Sequence, residues 1–212
     1  MVASPVKPKA YRPLGEQRVI FNGLSWADYL KIFNALPQRR NSRLTFDGTN
    51  LEITMPLEDH EFALRLIERF ILILVFELGM KMKTMGSTTM NREDLQKGSE
   101  PDCAYYIQNQ PKVAGRNVDF EKDPPPDLVV EVDITNTDID KNQLYAAMGV
   151  PEFWRYNGEI LSIYQLVEEK YQECEISPTF PTIQKEDLYH FLAEAQQDEI
   201  QAEQNLRNFL RK

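Results

Sequence analysis

Glu131 and Asp133 stand in the run LVVEVDI, whose other residues are those of a strand covered on both faces. Burying an unpaired carboxylate costs several kcal/mol, so each needs a partner. Strand side chains alternate, which puts Asp127, Val129, Glu131 and Asp133 on one side. The Cβ atoms of Glu131 and Asp133 are then roughly 7 Å apart, and two like charges that near each other call for a cation. Asp102, entered through Pro101, opens another strand candidate and joins Glu131 at one site if the two strands pair. Hard oxygen donors of this kind select Mg²⁺, Mn²⁺ or Ca²⁺, and such an ion clamps a phosphate and activates a water. Lys141 follows Glu131 at the start of a short predicted helix, from which its ammonium can reach back toward the acids. In phosphodiester hydrolysis that charge orients the water or stabilises the transition state. Each group also has an ordinary role. Asp102 suits a turn, Lys141 a solvated first turn, and Glu131 either a ligand or half of an ion pair.

The elements that must hold these groups follow from periodicity. WADYLKIFNALP after Ser25 is a capped helix, and RLTFDGTNLEITMP alternates around Asp47-Gly48 as a hairpin. From Glu58 to about Leu78 runs a long helix, acidic at its start, apolar all round in its second half and closed by Gly79. KMKTMGSTTMN and DCAYYIQ are two strand candidates, and NQPKVAGRNVDFEKDPPP is a loop ahead of the Leu128 strand. Ile139–Met148 has short-helix spacing, PEFWRYNGEILSIYQL is a hairpin around Asn157-Gly158, and KYQECEIS is one more strand. The stretch from Glu186 to Lys212 reads as one amphipathic helix, packed on the domain or offered to a second subunit. Tyr145 and Trp154 suit a core. The order predicts a single mixed α/β domain over residues 15–212 with a central sheet, preceded by a flexible arm at 1–14.

The chain has 212 residues, 42% apolar and 27% charged, with a net charge of −9. That balance excludes coating nucleic acid through charge alone, although QRRNSR at Gln38–Arg43 and Lys81 with Lys83 are local basic candidates. Cys103 and Cys174 lie far apart without metal-ligand spacing, which fits a reducing cytoplasm. The longest apolar run, Phe70–Phe76, is far short of the roughly 20 residues a membrane span needs, and no signal-peptide core precedes it.

EPDCAYYIQ, PPPDLVVEVDIT and DKNQLYAAMGVPEFWRYNGEILSIYQL together resemble the bacterial restriction endonuclease family of Uma type, in the PD-(D/E)XK nuclease superfamily. The resemblance implies a restriction-endonuclease-like fold, a central mixed sheet flanked by helices, and Mg²⁺-dependent cleavage of DNA, with Mn²⁺ as a substitute. Asp102 takes the place of the superfamily's first aspartate and Glu131 that of its second acid. The pattern lysine two positions on is Asp133 here, so Lys141 would supply the displaced ammonium. Asp133 is then a third metal ligand or a partner of Lys141. The long helix offers a further carboxylate at Glu61, with Glu58 and His60 nearby. A homodimer is expected, since cutting both strands needs two sites. The opposing expectation is a nuclease fold that no longer cuts and serves as a binding or assembly module.

Overall fold

The structure, a computed structural model, describes residues 16–135 and 137–211. The expected arm at 1–14 lies outside them. In chain order come β1 (Glu16–Phe21), α1 (Trp26–Ala35), β2 (Arg43–Phe46), β3 (Leu51–Pro56) and α2 (Glu58–Glu77). Then follow β4 (Lys83–Thr84), β5 (Met90–Arg92), β6 (Lys97–Ser99), β7 (Cys103–Tyr106), α3 (Gln110–Val113) and β8 (Leu128–Val132). The remainder is α4 (Lys141–Ala147), β9 (Glu152–Tyr156), β10 (Leu161–Val167), β11 (Lys170–Cys174), α5 (Lys185–Ala195) and α6 (Glu199–Leu210).

Local chemistry explains the early elements. Ser25 caps α1 by accepting the Asp28 amide at 3.2 Å, and Asp28 reaches back to the Ser25 amide. Asp47 accepts the Thr49 and Asn50 amides at 2.9 and 2.8 Å, and Gly48 takes the positive φ of +111° that the β2–β3 turn demands. The unpredicted β1 adds to β3, giving an antiparallel five-stranded sheet in the order β1-β3-β2-β6-β5.

The expected central mixed sheet has six strands, ordered β11-β10-β9-β8-β7-β4. Its parallel pair is β8 with β9, joined by the crossover through α4, and its other pairings are antiparallel. One face packs Leu128, Val130, Val132 and Trp154 against Leu64, Ile67, Phe70 and Leu74 of α2 and Phe191 of α5. The other packs Val129 and Phe153 against Leu144 and Tyr145 of α4. Both faces are covered, which is why β8 is continuously apolar apart from Glu131.

Three expectations need correction. KMKTMGSTTMN is not one strand: β4 joins the six-stranded sheet and β5 the other, because the Gly86 turn redirects the chain. The loop ahead of β8 contains the short α3, with Pro111 in its first turn. The terminal helix is two helices, since Asp198 leaves helical geometry and caps α6 by accepting the Ile200 and Gln201 amides.

Candidate active site

The pairing of Cys103 with Val130 sets the register of β7 on β8, and one step further Asp102 is level with Glu131. Asp133 stands just beyond β8, its amide donating to Tyr156 O at 2.8 Å. Lys141 is the first residue of α4, whose N-cap Asp140 accepts the Gln143 amide at 3.0 Å. All four side chains are buried.

Lys141 Nζ donates to Glu131 Oε2 at 2.9 Å and to Asp133 Oδ1 at 2.7 Å. Asp133 also accepts from Arg18 Nη2 at 2.9 Å and Arg155 Nε at 3.0 Å, so three cations surround it. Glu131 has the Tyr145 hydroxyl as its second donor, and that hydroxyl is 2.8 Å from Ser99 Oγ. Asp102 Oδ2 accepts from the Val132 amide at 2.7 Å and pairs with His60 Nε2 at 3.0 Å. Arg43 Nη1 approaches Asp102 Oδ1 to 2.7 Å but out of line, so the contact is Coulombic and that buried nitrogen has no hydrogen-bond partner among the described residues.

These partners set the charges. Burial raises the Glu131 carboxyl to about 7; Lys141 opposes this, while the neighbouring Asp102 and Asp133 add to it. Burial acts the same way on Asp102 and Asp133, yet their own cations win and both are held below the usual carboxylate range. Burial alone would lower Lys141, but the charges of Asp133, Glu131 and Asp102 raise it, fixing an ammonium there. His60 is likewise raised: burial alone would lower it, but the hydrogen bond to Asp102 and that carboxylate's charge together prevail.

The structure therefore brings Glu131, Asp133 and Lys141 into direct contact, with Asp102 on the neighbouring strand within their field. Glu61 does not touch Glu131, Asp133 or Lys141, but it pairs at 3.3 Å with Arg43, the arginine that also meets Asp102, and at 3.1 Å with Arg65. Glu58 is exposed on α2. Trp154 belongs to the opposite face and donates to Glu152 at 2.6 Å. Tyr145, read as a core aromatic, is both core and a donor to the cluster; its spacing of four from Lys141 on one helix face is the signal the sequence offers. Arg18 and Glu16 alternate on one face of β1, and Arg18 binds Glu16, Glu52 and Asp133 together. His60 and Arg43 reach Asp102 across distances in sequence that no local pattern reveals.

Among the described residues no group of three or more His, Cys, Asp or Glu side chains is arranged to hold a metal ion. Mg²⁺ does not require one, because it is commonly held by one or two carboxylates with waters and substrate phosphates completing the shell. Asp102 and Glu131 fit that donor set, and Glu131 is the acid whose charge is least compensated. Asp133 fits less well, its oxygens being committed to three cations.

A mixed sheet with buried acids and a lysine beside its parallel pair belongs to the restriction-endonuclease-like class of α/β folds. Among solved structures, the chain is similar to a "putative nuclease belonging to DUF820" from Anabaena variabilis, with 16% identity and a TM-score of 0.55 over 80% of this chain and 99% of that one. Residues 26–195 match the Uma2 family model, described as "Putative restriction endonuclease", and the chain belongs to that family. No curated protein matches it. Among the described residues no helix is long and apolar enough to cross a membrane.

Proposed function

We propose that the protein is a divalent-metal-dependent endonuclease of PD-(D/E)XK type that hydrolyses DNA phosphodiester bonds in the cytoplasm, acting as a homodimer where both strands are cut. The observation that carries this reading is the Lys141 ammonium seated between Glu131 and Asp133, on the strand adjacent to Asp102. Asp102 and Glu131 would hold Mg²⁺ or Mn²⁺, with Glu61, which shares Arg43 with Asp102, as a further candidate carboxylate. Bound there, the ion would supply Lewis-acid activation of water and neutralise phosphate charge. Lys141 holds a fixed positive charge where negative charge develops. Asp133, itself anchored by Arg18 and Arg155, positions that ammonium. Tyr145 orients Glu131.

Nicking of supercoiled plasmid tests this. Open circles are expected with Mg²⁺ or Mn²⁺ and not in EDTA. Glu131→Gln and Asp102→Asn keep side-chain shape and are expected to lose about 10²–10³ in rate while remaining folded by circular dichroism. Lys141→Met is expected to lose activity as well. It also strands two buried acids at a cost of about 3–5 kcal/mol, so its melting curve must accompany its rate. Variants that nick like the wild type would overturn the proposal.

A second reading, a nuclease fold retained as a binding or assembly module, is favoured by one feature. Each oxygen of Asp102 and Glu131 already faces a donor or cation of the protein itself.

A further inference from the structure

Beside the acid–lysine cluster lies a cleft of about 740 Å³. One wall is the segment 36–43, which runs from the end of α1 to the first residue of β2, and the other is the turn 87–89 between β4 and β5. Arg43 links the cleft to the cluster, lining the one and touching Asp102 in the other. The basic run QRRNSR, which the cluster does not use beyond Arg43, thus forms a wall of a cavity.

The lining has the chemistry of a strand-binding groove. Arg40, Arg43 and Arg65 supply guanidinium groups, and Ser87 and Thr88 supply hydroxyls. Half-buried Phe33 lies at the same cleft with the Arg40 guanidinium carbon 5.4 Å over its ring centre, a layered pair on which a base can stack. Glu100 accepts from Arg40 and, at 2.7 Å, from Thr89, fastening one wall to the other. Arg40 Nε stays buried without a hydrogen-bond partner among the described residues. The Arg65 side chain is 60% exposed, and its pairs with Glu61 and Glu68 are of the weak surface kind that a phosphate can displace.

Guanidinium and hydroxyl donors beside an aromatic layer bind a nucleic-acid backbone and its bases without reading sequence. The volume lies within the roughly 300–1,000 Å³ of pockets that enclose one small ligand. It has room for a few nucleotides of one strand, and the Phe33–Arg40 layer suits bases that are unpaired and free to stack. With a net charge of −9 over the whole chain, capture of a polyanion has to be local.

We propose that this cleft seats one unpaired DNA strand and leads its phosphates past Arg43 to the acid–lysine cluster, so that the substrate is single-stranded DNA or an unpaired stretch of duplex. Cutting at the end of this path rests on the nuclease reading above; binding in the cleft does not. In a homodimer each copy would take one strand.

Fluorescence anisotropy in EDTA, with labelled oligothymidine and a blunt duplex of equal length, separates the possibilities. Binding of the single strand is expected to be at least about tenfold tighter than that of the duplex. Arg65→Gln, at an exposed position whose ion pairs are of the weak surface kind, is expected to weaken single-strand binding severalfold and to reduce its salt slope by about 1. Arg40→Gln should weaken it too, whereas Lys170→Gln, on β11, should leave it unchanged. Equal or tighter duplex binding, or Arg65→Gln and Arg40→Gln both binding like the wild type, overturns the proposal. A protein that binds the strand in EDTA yet never nicks with Mg²⁺ or Mn²⁺ overturns the nuclease reading and leaves the cleft standing.

Discussion

Glu131 shares its cation: Lys141 also serves Asp133, which has two arginines besides. What holds Glu131 in place is therefore partly neutral, the hydroxyl of Tyr145 bridging it to Ser99. Tyr145→Phe removes that donor while keeping the ring in its apolar surroundings. A loss of about 1–3 kcal/mol is expected in urea unfolding, the cost of leaving buried polar oxygens unsatisfied. Unchanged stability would mean that the hydroxyl does not hold the site. At this scale the sequence was legible where chemistry is local. Alternation along β8 put Glu131 and Asp133 on one face, and the position of Lys141 at a helix start let it turn back to them. His60, Arg43 and Arg18 were not legible, because each reaches an acid from an element far away in the chain and carries no periodic signal of its destination.

Among elements, β1 shows how tertiary pairing overrides a weak local pattern. EQRVIF alternates too briefly to announce a strand, yet it completes a sheet through β3 and places Arg18 among Glu16, Glu52 and Asp133. Arg18→Met would leave three buried carboxylates short of a cation. A destabilisation of about 3–5 kcal/mol is expected by chemical denaturation, and a change near zero would show that the acids are compensated otherwise. The C-terminal helices illustrate the opposite error, a periodicity that continues through a break. Apolar spacing runs on from Leu188 to Leu210, while Asp198 starts a new helix between them. Asp198→Ala is expected to cost about 1 kcal/mol through the lost cap, read as a lower melting temperature. No loss would mean that α6 is held by packing alone.

Over the whole molecule, the site lies where two sheets meet a crossover. The six-stranded sheet provides Asp102 and Glu131, α4 provides Lys141 and Tyr145, and the five-stranded sheet provides Arg18 and Arg43. The central sheet and its helices were readable from hydrophobic pattern, because β8 is apolar on both faces apart from Glu131 and the second half of α2 is apolar all round. Of the second sheet only the β2–β3 hairpin was, since β5 and β6 are three residues each and join the sheet through β2, distant in sequence. The same assembly that fills Asp102 and Glu131 with internal donors must yield them to an ion if the protein cuts DNA. Calorimetric titration of Mn²⁺ into the folded protein, beside Glu131→Gln, measures this directly. Saturable binding to the wild type that the variant loses is expected; a folded wild type that takes up no ion, or a variant that binds it equally well, would contradict the assignment.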